Sequence, residues 1–187
     1  DLWPYWRNLR TGEHVPLTDE ERDLQLRTYR AHAEQAAAER AFVDNVPNAE
    51  LRRIEITHIR LRRDAADAVE GLLAALARRS LVPDPHVGVG SGYRSADEQF
   101  DLWNKRVYRY PWQYKEHVHE PTRPARNVSA AALARFIGGK TAAPGYSNHN
   151  DGRAVDFVQT LADGTRLGAS NAASWRTSPL YAVLVEL

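Results

Sequence analysis

The residues best suited to chemistry lie in the segment Pro144–Phe157, which reads PGYSNHNDGRAVDF. It holds a histidine, His149, and an aspartate, Asp156, seven residues further on. An imidazole and a carboxylate are both zinc ligands, and a catalytic zinc site usually has three protein ligands and an open position for water. Zinc lowers the pKa of that water towards neutrality, which makes it a nucleophile. The same two residues could instead form a hydrogen-bonded pair at the surface.

The residues before Asp156 predict a loop that runs into a strand from Gly152 onward. Side chains alternate between the two faces of a strand, so Gly152, Ala154 and Asp156 should share one face. Val155 and Phe157 then lie on the other face, where they can contact a core. Because Gly152 and Ala154 have little or no side chain, we expect the loop that carries the histidine to fold back close to the carboxylate.

The full pattern from Ser147 to Asp156, Ser-x-His-x-x-Gly-x-Ala-x-Asp, resembles the signature of a group of zinc peptidases. These are the D-alanyl-D-alanine carboxypeptidases and endopeptidases, which include vancomycin-resistance D,D-peptidases and several phage endolysins. A second match lies upstream, where Ser91–Ser95 (SGYRS) and Gln99 are similar to the Ser-x-Tyr-Arg-Ser-x-x-x-Gln segment of the same group. Two matches in the expected order argue against chance. The resemblance covers about residues 51 to 187.

The resemblance implies a role for each matched residue. His149 and Asp156 would hold a zinc ion, Zn2+. Arg94 would bind the substrate and stabilise the oxyanion at the scissile carbonyl, where a fixed cation lowers a barrier by roughly 3 kcal/mol. Without the resemblance, Arg94 would be assigned to a surface ion pair. The remaining matched side chains would contact the substrate: Ser147, Gln99, Tyr93 and Ser95.

The resemblance is incomplete towards the C-terminus. In the family, a third zinc ligand follows the signature by several tens of residues in a Glu-x-x-His-like segment, whose Glu is the general base. The sequence ends at Leu187, and Glu186 has no His after it. Three explanations are open: the sequence stops before that segment, His117 or His119 substitutes for the ligand, or the domain is a degenerate binder.

Composition limits the classes of protein to which the chain can belong. Its 187 residues are enough for one domain with a core. A net charge of +1 requires no nucleic-acid or anionic-membrane partner, and the absence of an apolar run of about 18 residues predicts no membrane span. Cysteine is absent, which excludes disulfides and thiolate zinc sites. Because the first residue is Asp1 rather than Met, we expect the chain to be part of a longer polypeptide.

Capping signals and apolar periodicity predict the regular elements. Thr18 and Glu21 form a capping box that predicts a helix to about Val43, and its weak apolar stripe favours a position at the surface or against a partner. A strand is predicted within Ile54–Leu61. The other expected elements are helices over 64–79, 95–106 and 129–137 and after Ser178–Pro179, a strand at Val87–Val89, and a hairpin turn at 162–165.

These elements predict an α+β fold, in which a small, mainly antiparallel sheet is flanked by helices. Residues 1–50 should form an N-terminal aromatic segment and helical arm, and residues 51–187 the zinc D,D-peptidase-like domain, truncated at its C-terminal end. Trp3, Tyr5 and Trp6 are expected to pack on the body of the protein rather than bind sugar. The irregular stretch 107–127 is expected to line the substrate groove or act as a lid.

The resemblance implies zinc-dependent hydrolysis of a peptide bond in the peptidoglycan stem peptide, next to a D-amino acid. It leaves open whether the enzyme is a carboxypeptidase or an endopeptidase. It also implies a location in the periplasm, at the cell wall or outside the cell. Two alternatives are a non-catalytic module that binds wall peptides within a larger secreted or injected protein, and a peptidase for a substrate outside the wall, such as a D-Ala-D-Ala dipeptide.

Overall fold

The computed structural model describes residues 2, 5–7, 14–55, 57–78, 87–107, 129–161, 163–167 and 172–186. These residues form helices and small antiparallel sheets, so the fold class is α+β, as predicted. The chain divides into two compact units, Asp1–Asn45 with Arg94–Asn150 and Val46–Tyr93 with Asp151–Leu187. The predicted division into residues 1–50 and 51–187 stays a prediction.

The regular elements follow in this order: β1 (Tyr5–Arg7), β2 (His14–Pro16), α1 (Asp19–Ala37), β3 (Leu51–Arg53), β4 (Arg60–Arg62), α2 (Arg63–Arg78), β5 (Val87–Ser91), α3 (Ala96–Val107), α4 (Ala130–Gly138), β6 (Asp156–Thr160), β7 (Arg166–Leu167), α5 (Ala172–Trp175) and α6 (Pro179–Glu186). The strands pair antiparallel as β1–β2, β3–β4 and β5–β6–β7. The described helices include none that is both long and apolar enough to cross a membrane.

Helix α1 of the first unit lies against α4. It begins with the predicted capping box, in which the Glu21 N–H donates to Thr18 Oγ1 over 3.3 Å and the Thr18 N–H donates to Glu21 Oε2 over 2.9 Å. It ends at Ala37, before the predicted end near Val43. Its buried residues are mostly polar: Glu21, Leu24, Gln25, Thr28 and His32. The weak apolar stripe therefore corresponds to a contact with another helix of the same unit.

The core of the first unit centres on Trp103 of α3 and on Leu133 and Ile137 of α4, each 0% exposed. Helix α4 is capped by Ser129, whose Oγ accepts a hydrogen bond from the Ala132 N–H over 3.2 Å. The boundaries of α3 and α4 agree with the prediction within about one residue, because capping residues mark helix starts directly.

In the second unit, β3 and β4 form a hairpin where the sequence predicted one short strand. Ile54 and Ile59 lie between the two strands, and the Ile54 N–H donates to the Ile59 carbonyl over 3.0 Å. Both side chains are buried, with Leu61, in a core formed with α2. Ile54 and Ile59 therefore contribute to the core from the turn between β3 and β4, and not from a strand.

The three-stranded sheet carries the last residue of the signature, Asp156. Strand β6 begins at Asp156, so the predicted strand from Gly152 onward is wrong for residues 152–155. Val155 and Phe157 contact the core, as predicted. The stretch 108–128, with His117 and His119, lies outside the described residues, as does Trp3.

Candidate active site

The loop that carries His149 is held by hydrogen bonds to Ser147. The His149 N–H donates to Ser147 Oγ over 3.2 Å, and the Asn150 N–H donates to the Ser147 carbonyl over 2.9 Å. His149 itself is half-buried. The Ser147 side chain, predicted to contact the substrate, therefore also fixes the backbone of the candidate zinc ligand.

Asn150 ties this loop to the segment that begins at Arg94. Its side chain is 0% exposed. Its Nδ2 donates to the carbonyls of Arg94 and Ser95, over 2.8 and 3.1 Å, while its Oδ1 accepts from the Ser147 N–H over 2.9 Å. The Arg94 N–H in turn donates to the His149 carbonyl over 3.1 Å. The backbones of the candidate zinc ligand and the candidate oxyanion-binding cation are thus held together within one unit.

Ser95 and Gln99 both have protein partners. Ser95 caps α3, since its Oγ accepts from the Glu98 N–H over 3.1 Å and its own N–H donates to Glu98 Oε2 over 2.7 Å. Gln99 is 1% exposed, and its Nε2 donates to the Ala142 carbonyl over 2.9 Å. Substrate contact by these two side chains stays a prediction.

The residues that follow α1 support the same loop. The Val43 N–H donates to the Gly145 carbonyl over 2.8 Å, and the ring of Phe42 meets that of Tyr146 edge-on, with centroids 5.5 Å apart. Arg40 Nη1 donates to Asn148 Oδ1. This segment, which was predicted to be the last turns of a helix, therefore braces the signature loop.

Asp156 lies at the start of β6 and is exposed. Its Oδ2 accepts a hydrogen bond from the hydroxyl of Ser91, the residue opposite it on β5. The pairing of β5 with β6 shifts by one residue between Val89 and Ser91. The sequence pointed to Ser91 only as the first residue of a motif; its contact with the candidate zinc ligand was not predicted.

Gly152 precedes Asp156 in a left-handed conformation, with φ +75°. Its carbonyl accepts from the Arg62 N–H over 2.9 Å, and a Cβ on Gly152 would lie 3.3 Å from that nitrogen. Arg62 Nε also donates to the Asp151 carbonyl over 2.7 Å. Gly152 is therefore needed because the chain turns in a left-handed conformation close to β4, and not because a bare strand face is required at this position.

Arg153 and Tyr93 have structural partners in the second unit. Arg153 pairs with Asp64 over 3.3 Å. The pKa of the Asp64 carboxyl is lowered, first by the hydrogen bond from the Ala65 N–H and then by Arg153. Tyr93 Oη accepts from the Val46 N–H over 3.2 Å. Substrate contact by Tyr93 stays a prediction.

The two predicted zinc ligands belong to different units, His149 to the first and Asp156 to the second. Their donor chemistry fits zinc, since the imidazole nitrogen and carboxylate oxygen are both preferred ligands and the carboxylate already accepts an orienting hydrogen bond. Within the described residues, no three His, Asp or Glu side chains form a group that could hold a metal ion. The two histidines proposed as substitutes, at 117 and 119, lie outside those residues.

Comparison with known proteins gives one family. The sequence profile described as VanY: D-alanyl-D-alanine carboxypeptidase matches residues 58–184 of this chain. No curated protein sequence matches it.

Two solved structures match part of this chain. One is a mutant of the vancomycin resistance D,D-pentapeptidase VanY from a VanB-type resistance cassette, in complex with Zn(II). It is 19% identical, with a TM-score of 0.45, and the match covers 76% of this chain and 72% of that one. The other is VanYB in complex with D-alanine-D-alanine, which is 20% identical with a TM-score of 0.42, over 78% of this chain and 65% of that one.

Proposed function

Because the chain belongs to the VanY family of D-alanyl-D-alanine carboxypeptidases, whose profile matches residues 58–184, we propose that it is a zinc-dependent peptidoglycan hydrolase. It would cleave a peptide bond of the stem peptide next to a D-amino acid, as a D,D-carboxypeptidase or endopeptidase. Its place of action would be the periplasm, the cell wall or the cell exterior, where that substrate is found.

The observation that carries this proposal is the hydrogen bond from the Arg94 N–H to the His149 carbonyl, 3.1 Å long. The two residues come from the two sequence motifs that match the family, 55 positions apart. A zinc-dependent hydrolytic site places its metal ligands and the group that stabilises the oxyanion in a fixed relation to each other. Their joining within one compact unit supports the assignment of both roles.

The ligands in this proposal are the imidazole of His149 and the carboxylate of Asp156. The Ser91 hydroxyl holds the carboxylate by donating to its Oδ2, and such partners of a metal ligand fix its orientation and raise metal affinity. Zinc, when bound, supplies an activated water and polarises the scissile carbonyl. The third ligand and the general base are not assigned among the described residues.

Arg94 would bind the substrate and stabilise negative charge on the scissile carbonyl. A guanidinium stays charged throughout the working pH range and presents its donors in a rigid plane. Its backbone is fixed at the N–H and at the carbonyl, by His149 and by Asn150. The substrate contacts proposed with it are Ser147, Gln99, Tyr93 and Ser95. Gln99 also donates from Nε2 to the Ala142 carbonyl.

The test replaces His149 with alanine in the intact chain and uses His58→Ala as a matched control, since His58 is an exposed histidine between β3 and β4. Zinc content and the peptides released from purified sacculi are measured by metal analysis and mass spectrometry. We expect His149→Ala to lose zinc and to release no new peptides, while His58→Ala retains both. Normal cleavage by His149→Ala would show that the metal assignment is wrong. An intact chain that binds wall peptides but produces no new peptide ends would be a binding module.

A further inference from the structure

We propose that Asn150 is a positioning residue that sets the relation between His149 and Arg94. This inference rests on the proposed function of those two residues, and it assigns Asn150 no contact with substrate. Residue 150 is one of the positions at which the signature specifies no residue type. The role proposed for Asn150 therefore rests on its contacts in the structure and not on the signature.

Both polar atoms of the Asn150 side chain, Nδ2 and Oδ1, form hydrogen bonds with the backbone. An asparagine side chain offers two N–H donors and one carbonyl acceptor. Here both donors go to backbone carbonyls, of Arg94 over 2.8 Å and of Ser95 over 3.1 Å, and the acceptor receives the Ser147 N–H over 2.9 Å. Because two backbone carbonyls face Nδ2 and a backbone N–H faces Oδ1, the side-chain amide can satisfy all three bonds in only one of its two flipped orientations.

A local turn does not account for these contacts. Asparagine in a turn commonly bonds to backbone groups two or three residues away, and its Oδ1 is sufficient for that. The Nδ2 of Asn150 instead reaches residues 56 and 55 positions earlier in the chain. It does so at 0% exposure, where a buried polar group without a partner is unfavourable.

The bonds hold His149 from both sides. Ser147 and Asn150 flank it in the loop, and its own carbonyl accepts from the Arg94 N–H. Loss of the Asn150 amide therefore frees the loop and the Arg94 segment at the same time. Since a displacement of about 1 Å in a catalytic group costs roughly 100-fold in rate, a large catalytic effect is expected from a residue that touches no reacting atom.

The experiment compares Asn150→Ala and Asn150→Asp with Asn104→Ala in the intact chain. Asn104 is a matched control, since it is an asparagine of the same unit, in α3, and 2% exposed. The Asp variant keeps the shape and the acceptor of Asn150 but faces the carbonyls of residues 94 and 95 without the amide donors. It is the second variant if Asn150→Ala does not fold.

The first readout needs neither metal nor activity. Hydrogen exchange at the Arg94 amide should become at least tenfold faster in both Asn150 variants. At the Ser147 amide it should do so in Asn150→Ala, which lacks the acceptor for that N–H. Exchange at both amides should stay unchanged in Asn104→Ala. Zinc affinity, by competition with a chelating dye, and kcat/KM on a D-Ala-D-Ala-terminated peptide should each fall about 10- to 100-fold in the Asn150 variants. Unchanged exchange at those two amides, or equal losses in Asn104→Ala, would overturn the inference.

A double-mutant cycle with Arg94→Ala separates positioning from general stability. If Asn150 acts through Arg94, Asn150→Ala should lower kcat less in the Arg94→Ala background than in the wild type. Equal losses in both backgrounds contradict positioning of Arg94. If His149→Ala and Arg94→Ala both keep full activity, the proposed function fails, whereas the hydrogen-exchange result stands by itself.

Discussion

The indole Nε1–H of Trp103 donates a hydrogen bond to Nδ1 of His32, and the two atoms lie 2.9 Å apart. Both side chains are buried, where α1 meets α3. Because Nδ1 accepts, the single proton of the neutral imidazole is on Nε2. Burial lowers the pKa of His32 to about 4, since the charged form would lose its hydration.

Stability should therefore fall in weakly acidic solution. In the unfolded chain His32 takes up a proton near pH 6.5, but in the folded chain only near pH 4. The stability that the neutral imidazole provides is complete above about pH 6.5, decreases as pH falls, and is lost below about pH 4. The total is roughly 3 kcal/mol of unfolding free energy.

Urea denaturation between pH 4 and 7 measures this effect on the wild type and His32→Gln. The difference in unfolding free energy between the two should shrink as pH falls, because the variant has no group to titrate at this position. Thr28→Val, a change of a buried polar residue on the same helix, should destabilise by the same amount at every pH. A wild type and a His32→Gln variant with parallel pH profiles would contradict the assignment.

Removal of the Ser91 hydroxyl should lower the affinity for zinc strongly and the free energy of unfolding only slightly. Ser91→Ala leaves Asp156 in place but removes the hydrogen bond to its Oδ2. We expect zinc affinity to fall about 10- to 100-fold, with a loss of only about 1 kcal/mol in unfolding free energy. Isothermal titration with zinc and thermal unfolding measure the two effects. Ser174→Ala, at an exposed position of α5 in the same unit, should change neither.

A comparison of Gly152 with Gly164 separates two costs of a side chain at the signature glycine, the strain of a positive φ and the contact of the added Cβ with its neighbours. Both have positive φ, +75° and +83°, and alanine in that region costs roughly 1–2 kcal/mol. A Cβ at Gly164 meets nothing within 4 Å, whereas one at Gly152 lies 3.2 Å from Arg62 Cγ and 3.3 Å from Leu51 Cδ2. Chemical denaturation should therefore show a larger loss for Gly152→Ala than for Gly164→Ala. Equal losses would mean that contact with β3 and β4 does not matter.

Arg94→Lys should keep the charge but lose the planar set of donors. If Arg94 stabilises the oxyanion, kcat should fall roughly 100-fold, because a lysine cannot reproduce the fork of a guanidinium. A rise in KM with unchanged kcat would instead assign Arg94 to substrate binding alone. Arg135→Lys, at an exposed position of α4, is the control and should leave both constants unchanged.

Local rules predicted the starts of the helices well, and the end of α1 and the strands less well. Helix starts at Thr18, Ser95, Ser129 and Ser178 depend on hydrogen bonds that span three residues, so the sequence contains all the information. The start of β6 was wrong because alternation assumes an extended backbone, and Gly152 adopts a left-handed one instead. Glycine permits both conformations, and the left-handed one occurs here with a hydrogen bond from the distant Arg62 N–H to the Gly152 carbonyl.

The candidate site divides in the same way. His149, Asp156 and Arg94 were singled out by the resemblance of two motifs to a family, and their roles stay predictions. The contacts of Asn150 with Arg94 and of Ser91 with Asp156 join residues 56 and 65 positions apart. No periodicity or capping rule relates residues at such separations, so these supports of the site emerge only from the folded chain.

The one-residue shift of β5 between Val89 and Ser91 has a consequence for sequence alignment. An extra residue in one strand reverses which face the following side chains occupy. Because Gly90 is the extra residue, a gap placed at another position of β5 would assign the Ser91 position to the wrong partner on β6. Relatives of this chain should therefore be aligned so that the positions of Ser91 and Asp156 stay opposite each other, with a deletion in β5 placed at Gly90.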